Sequence, residues 1–318
     1  MLLSPAFDFI LIDVLGYIIR RFFWTIPVIF VVSSVTFLLM HAIPGGPFSE
    51  EKALPPEIIK NLEAKYHLSD PIWKQYIDYM WGFIRFDFGP SITYKTRTVN
   101  DILAQQWPPT AILGAISFFF ALLIGVVLGV VSAVRANSVI DYTCMTLAVF
   151  GVSMPNIVVG PLLIWIFALN LKWLPVARWG TPAHVVLPAL TLSAPYIARF
   201  ARFTRAAILE VLNEEYIKTA RAKGLPETLT ILRHVLRNSL IPVITIAGPA
   251  FAGIITGSMV VEQIFAIPGI GRYYVTSVNN RDYPVIMTFT LIFALCIILM
   301  NLFVDILYAI VDPRIRYA

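Results

Sequence analysis

The run Ala111-Ile-Leu-Gly-Ala-Ile-Ser-Phe-Phe-Phe-Ala-Leu-Leu-Ile-Gly-Val-Val-Leu-Gly-Val-Val-Ser-Ala-Val134 contains no charged residue and no proline. It is longer than the about 20 apolar residues that an α-helix needs to cross a bilayer. Comparable runs recur on both sides of it, at 22–42, 142–169, 185–201, 241–261 and 285–311. The composition agrees: 58% of the 318 residues are apolar and 14% are charged. A soluble domain holds about 45–50% and about 25%. The mean hydropathy is +0.78. The expected fold is therefore all-α and integral to a membrane, with six transmembrane helices.

The stretch after Arg20 and Arg21 is too long for the apolar core of a signal peptide, and no small-residue cleavage site follows it. It reads as a retained first span. Residues 1–21 form a cytoplasmic or interfacial segment. Prolines 27, 155, 161, 188, 195, 242 and 249 lie inside the runs. In a membrane bundle, neighbouring helices can satisfy the carbonyls that such residues free. Two Gly-x-x-x-Gly pairs, Gly125/Gly129 and Gly253/Gly257, allow either close helix approach or no special role. Cys144 and Cys296 sit inside apolar runs as small hydrophobes.

The net charge of +5 does not point to nucleic acid, because the basic residues gather at span ends and in one loop. Arg20, Arg21, Arg135, Arg314 and Arg316 fall on one side with the basic loop 202–240. The positive-inside rule puts that side, with both termini, in the cytoplasm. Residues 43–110 and 262–284 then lie outside. In the outer segment, Leu54, Ile58, Ile59, Leu62 and Tyr66 share a helical face. Ser69-Asp70-Pro71 ends that helix and starts a second. Thr98-Val-Asn-Asp101 reads as a capping box that opens a third, short helix.

Enzymatic motifs are missing. The chain contains no Gly-Lys dipeptide, hence no phosphate-cradling loop, and no H-E-x-x-H or G-x-S-x-G. His41, His67, His184 and His234 are scattered. The span interiors carry almost no ionisable groups, which weakens the alternative of an ion-coupled carrier. Asp305 is expected to pair with an arginine at the inner interface. Arg199, Arg202 and Arg205 are expected to snorkel to headgroups or to pair with Glu210, Glu214 or Glu215.

The most informative segment is Glu215-Tyr-Ile-Lys-Thr-Ala-Arg-Ala-Lys-Gly-Leu-Pro226. An amphipathic helix leads in, with Ile208, Leu209, Leu212, Tyr216, Ile217 and Ala220 as its apolar members. Gly224 suits the left-handed conformation that ends a helix. Pro226 suits the start of the next, which runs through Leu229, Leu232, Leu236 and Leu240. A helix, a glycine elbow and a second helix, set between two spans, make a rigid lever facing the cytoplasm. It reads as a docking element for a cytoplasmic partner; a DNA-reading helix-turn-helix does not suit a loop flanked by membrane spans.

This elbow resembles the cytoplasmic loop of bacterial ATP-binding-cassette importer permeases, specifically the B-type subunits of oligopeptide and dipeptide permeases. The general loop motif of the family, Glu-Ala-Ala-x3-Gly-x9-Ile-x-Leu-Pro, maps onto Lys218-Thr219-Ala220, Gly224, His234 and Leu236-Arg237. It matches only at Ala220, Gly224 and Leu236. The peptide-permease form fits far better, at Glu215-Tyr216, Thr219-Ala-Arg-Ala-Lys-Gly-Leu225, Arg233-His234 and Leu236-Arg-Asn238. The resemblance extends over the chain through Pro44-Gly-Gly-Pro-Phe48, Asp87-Phe-Gly-Pro-Ser91, Ile267-Pro-Gly-Ile-Gly271, Arg281-Asp-Tyr283 and Asp312-Pro-Arg-Ile-Arg-Tyr317. The longer N-terminus and the lost first glutamate and final proline of the general motif are departures.

The resemblance implies a second, C-type permease subunit, two cytoplasmic ATPase subunits, an extracytoplasmic peptide-binding receptor and a peptide substrate, in a bacterial inner membrane. A nickel or other small-solute importer of the same group is the alternative. No cofactor or metal is expected on this chain; ATP and magnesium belong to the ATPases, and no catalytic residue is expected here. The residues expected to dock on an ATPase are Glu215, Tyr216, Lys218, Thr219, Ala220, Arg221, Ala222, Lys223, Gly224 and Leu225. Those expected to meet the receptor are Pro268, Gly269, Gly271, Arg272 and Arg281.

Overall fold

The computed structural model of the chain describes residues 5–43, 66, 68–256 and 258–311, with side chains at 20, 21, 23–43, 66, 68–256 and 258–303. The helical face expected at residues 54–62, the 44–48 and 312–317 motifs, Gly257 and the side chain of Asp305 lie outside these. Among the described residues there is no strand, and one isolated bridge joins Pro90 to Thr98.

Among the described residues, four helices are long and apolar enough to cross a membrane: Phe23–Ala42, Val99–Val134, Glu227–Ile264 and Tyr283–Phe303. A fifth span arises if Val139–Ser153 and Asn156–Asn170, bent by 111°, act as one. The first of these belongs to helix α1 (Pro5–Ala42), which is continuous, so residues 5–21 extend the first span's helix instead of forming a separate element. Helix α2 (Ile72–Ile84) follows, with Pro71 at its N-cap. Helix α3 (Val99–Val134) begins at the expected capping box. The Thr98 N–H donates to Asp101 Oδ2 at 3.0 Å, and the Asp101 N–H donates back to Thr98 Oγ1 at 3.2 Å. The helix is not short, however: it runs without interruption into the second apolar run, through Pro108 and Pro109.

The third run is not one straight helix. It divides into α4 (Val139–Ser153) and α5 (Asn156–Leu163), the latter continued by a π-helical stretch at Ile164–Asn170. The break falls at Met154, which is extended (φ −100°, ψ 123°). Pro155 causes it, since a proline ring crowds the residue before it out of the helical region. The other prolines of the spans, among them Pro27, Pro188, Pro195, Pro242 and Pro249, sit within continuous helices.

Two compact units share the chain. One includes residues 111–267, the other 17–110 and 268–298. The spine of the first is α6 (Pro182–Leu212). The expected fourth span, 185–201, lies inside it, yet α6 is not among the helices apolar enough to cross alone. Its surroundings explain this. Val185, Leu187, Leu192, Phe200 and Ala201 are buried, and so are Thr191, Ser193 and Thr204. A helix enclosed by protein needs no lipid-solvating girdle, and its hydroxyls can bond its own carbonyls, as Thr191 does to the Leu187 carbonyl at 2.8 Å.

The Gly-x-x-x-Gly pair on α3 is a close-packing device. A Cβ on Gly125 would stand 2.6 Å from Phe200 Cβ and 2.8 Å from the Ile197 carbonyl oxygen. One on Gly129 would stand 2.6 Å from Thr204 Cβ and 2.7 Å from the Ala201 carbonyl oxygen. Missing side chains thus let α3 lie against the backbone of α6. Helices α7 (Glu215–Ala222), α8 (Glu227–Thr230), a π-helical turn at Ile231–Val235 and α9 (Leu236–Thr256) follow, then α10 (Met259–Ile264).

In the second unit, Phe37 and Met40 of α1 pack with Ile286 and Met287 of α12 (Tyr283–Val311). Tyr76 and Tyr79 of α2 and Tyr274 of α11 (Ile270–Asn279) close over them.

Candidate coupling site

The elbow begins where α7 ends. Gly224 has φ +76°, a conformation that costs a residue with a Cβ about 1–2 kcal/mol. The Gly224 N–H donates to the Arg221 carbonyl at 2.9 Å, and the Leu225 N–H to the Ala220 carbonyl at 3.3 Å. These two bonds form a Schellman stop, which satisfies carbonyls the helix would otherwise leave open. Pro226 then caps α8, and the Thr230 N–H reaches its carbonyl at 3.0 Å. Arg221 spans the corner: Nε donates to Glu227 Oε2 at 3.1 Å and Nη2 to Oε1 at 2.6 Å. These hydrogen bonds hold the Glu227 carboxyl below the usual glutamate range. Both side chains are exposed, so the pair adds little stability; its fork geometry links the two helices across the corner.

The structure divides the expected docking residues into two faces. Ala220 is buried, as is Ile217, which clusters with Ile208, Val235 and Ala133. Ala220 therefore turns toward the chain's own core; Ile217 and Ala220, three residues apart, share the inward face of α7. Glu215, Tyr216, Lys218, Thr219, Arg221, Ala222, Lys223 and Gly224 are exposed, and Leu225 is half-buried. Tyr216, expected among the apolar members, is 41% exposed; its hydroxyl accepts from Asn238 Nδ2 at 2.7 Å. Lys218 Nζ meets Glu215 Oε1 at 2.7 Å. Beyond the elbow, Leu229 and Leu232 point outward, while Thr230, Val235 and Ser239 are buried.

Behind the lever sits a clasp the sequence did not disclose. Arg205 pairs with Asp141 and not with Glu210, Glu214 or Glu215. Its Nε donates to Asp141 Oδ1 at 2.8 Å and its Nη2 to Oδ2 at 2.7 Å. Ser132 Oγ also donates to Oδ1, and the Asn137 N–H to Oδ2 at 2.9 Å. The Asp141 side chain is 2% exposed and that of Arg205 28%. One carboxylate thus ties the end of α3, the turn after it and the start of α4 to α6. Three-residue spacing predicted the face of Arg205, but its partner lies far away in sequence.

In the 262–284 loop, Gly269 and Gly271 are buried and Pro268 and Arg281 are half-buried, leaving Arg272 as the exposed member of the expected receptor set. The Gly/Pro stretch packs inward because it starts α11: Gly269 is its N-cap, and the Ile270 N–H donates to Thr110 Oγ1 at 2.9 Å. Arg281 is in the left-handed region with φ +54°. Its neighbour Asp282 is fully buried and gathers Ser91 Oγ, the Ile92 N–H at 3.1 Å and the Thr93 N–H at 3.0 Å. Asp282 therefore anchors the 85–98 loop. The signal was present as two separate motifs, Asp87–Ser91 and Arg281–Tyr283, but their pairing was not.

The model of the family described as binding-protein-dependent transport system inner membrane component matches residues 125–317, and that of its N-terminal part matches 14–113. The oligopeptide transport system permease protein OppB of Escherichia coli (strain K12) is 48% identical over 305 residues, 95% of this chain and 100% of that protein. The dipeptide transport system permease protein DppB of Bacillus subtilis (strain 168) is 48% identical over 300 residues, 94% and 97% of the two chains. Among solved structures, a chain of the MetNI methionine ABC transporter in inward facing conformations aligns with a TM-score of 0.55 at 19% identity. That alignment covers 66% of this chain and 96% of the other, a likeness of fold.

Proposed function

This chain belongs to the binding-protein-dependent transport system inner membrane components, the permeases of ATP-binding-cassette importers, and on that premise we propose that it forms half of a translocation path for oligopeptides or dipeptides. The observation that carries the substrate class is identity near one half, over nearly full length, to relatives named for those two peptide classes. A second, C-type permease completes the path, two ATPase subunits bind beneath, and an extracytoplasmic receptor delivers the peptide. The chain conducts and couples; ATP hydrolysis belongs to the ATPases. Six spans, with both termini and the 202–240 loop in the cytoplasm, complete the proposal, with α6 as the fourth span and the bent α4–α5 pair as the third.

In this reading the exposed side of α7, carrying Glu215, Lys218, Thr219, Ala222 and Lys223, seats on an ATPase subunit. The Schellman stop and the Arg221–Glu227 fork keep α7 and α8 as one body, so a displacement of α7 passes through α8 into α9. Such a transfer is a hinge-type transition driven by ligand binding elsewhere. Arg272 supplies a positive contact for the receptor.

The test is uptake of labelled di- and pentapeptides into vesicles containing the chain with its partner subunits and receptor. Uptake is expected only with ATP. Lys218→Glu with Lys223→Glu is expected to lower uptake and ATPase stimulation together, with the chain still inserted. Uptake driven by a proton or sodium gradient without ATP would assign the chain to carriers, and ATP-driven uptake of nickel without peptide would move it to the small-solute importers.

A further inference from the structure

Helix α2 lies in the stretch expected to be an extracytoplasmic segment, yet its surface has three distinct faces. Tyr76, Tyr79 and Gln75 face the protein. The Tyr76 hydroxyl bonds Ser33 Oγ at 2.7 Å and Ser34 Oγ at 2.9 Å, Tyr79 bonds Thr288 Oγ1 at 3.0 Å, and Gln75 Oε1 meets His41 Nε2 at 3.3 Å. A second face carries Trp73, Ile77, Trp81 and Ile84, exposed by 66, 56, 55 and 64%. A third carries Lys74, Asp78 and Arg85, all exposed.

The depth of the first face decides what covers the second. Ser33 and Ser34 lie inside the apolar stretch Phe23–Ala42 of α1. Phe37, whose ring meets Tyr76 with centroids 5.3 Å apart, stands about 7 Å short of the end of α1 by the helical rise, and Ser33 and Ser34, which the Tyr76 hydroxyl reaches, about 12–14 Å short of it. Thr288 stands inside the start of α12 by a distance similar to that of Phe37. With the Tyr76 side chain reaching down to the two serines, helix α2 is thus docked below the ends of two membrane-crossing helices, near the about 5–10 Å depth to which an interfacial helix sinks. Two tryptophans on the exposed apolar face are the residues enriched at that boundary. The Arg85 guanidinium stacks over the Trp81 ring at 4.4 Å, where the polar and apolar faces meet.

We propose that α2 is an outer-leaflet interfacial helix whose Trp73–Ile77–Trp81–Ile84 face is covered by lipid acyl chains, with Lys74, Asp78 and Arg85 turned to headgroups and water. A soluble segment with these two faces would expose four large apolar side chains to water; a lipid boundary accommodates both faces at once. The receptor's landing surface then excludes this side of α2. The assignment rests on α1 crossing the membrane, its outer-leaflet side on the orientation proposed above, and neither depends on what the chain transports.

The test is collisional accessibility of a nitroxide in the assembled complex, in vesicles of phosphatidylethanolamine and phosphatidylglycerol. Cys144 and Cys296 are replaced by alanine, and single labels are placed at Ile77→Cys and Lys74→Cys. Ile84→Cys and Asp78→Cys form a second pair, should one of the first fail to assemble. The expected result is a several-fold higher ratio of oxygen to water-soluble nickel chelate collisions at 77 and 84 than at 74 and 78. Nickel access at 77 and 84 equal to that at 74 and 78 would place the face in water and overturn the proposal. Shielding of 77 and 84 from both quenchers would show a protein partner there and would overturn it equally.

Discussion

Arg205 and Asp141 are expected to be strongly coupled, because removal of either strands what the other held. Arg205→Ala removes the charge partner of the Asp141 carboxylate, which is 2% exposed in the intact clasp. A buried charge deprived of its partner costs about 3–5 kcal/mol. Ser132 Oγ and the Asn137 N–H still hold it, so the lower end, about 3 kcal/mol, is expected. Asp141→Ala instead leaves a guanidinium that is already 28% exposed at the side chain. Its long stem can carry the head to lipid phosphates or water. The loss is then that of hydrogen bonds to a charged group, about 1.5–3 kcal/mol, to which is added the loss of the acceptor for the buried Ser132 hydroxyl and the Asn137 N–H. The double variant strands neither charge, so its loss is expected to fall short of the sum of the two single losses, a coupling of the kind a double-mutant cycle isolates. The assay is reversible unfolding of the purified chain in mixed micelles with increasing denaturing detergent, at neutral pH where both groups are charged. The result expected is that the double variant loses clearly less than the sum of the two single losses. If the double variant is less stable than Arg205→Ala by the full cost of Asp141→Ala, the two residues act independently and the reasoning fails.

Two further substitutions test the packing and the elbow. Gly129→Leu drives a side chain against Thr204 and the Ala201 carbonyl, and overpacking of this kind is expected to cost about 1–3 kcal/mol; thermal unfolding of the solubilised chain measures it. At Gly224 a Cβ meets no atom within 4 Å, so only backbone strain separates substitutions there. Gly224→Asn, which tolerates the left-handed region, should transport near the wild-type rate, whereas Gly224→Val should lose peptide uptake and ATPase stimulation while remaining inserted. Equal rates for the two variants would remove the elbow from the coupling route.

The apolar runs, the capping box at Thr98–Asp101 and the glycine stop at 224 were legible because each depends on a few adjacent residues: the cost of placing side chains in lipid, the open N–H groups of a first turn, the freedom of a residue without Cβ. Legible too was the small-residue signature at Gly125 and Gly129, although only its contact with α6 separates close packing from coincidence. What tertiary structure decided were the facts that depend on distant residues. Pro155 breaks a span while Pro188 and Pro195 do not, and α6 can be polar because protein encloses it. Arg205 finds Asp141, and Asp282 finds Ser91. Ala220 turns inward, although a small residue beside an elbow reads equally well as a docking contact. Helical periodicity gives each residue an angle about its helix axis, but the neighbour waiting at that angle is set by packing between segments far apart in the chain.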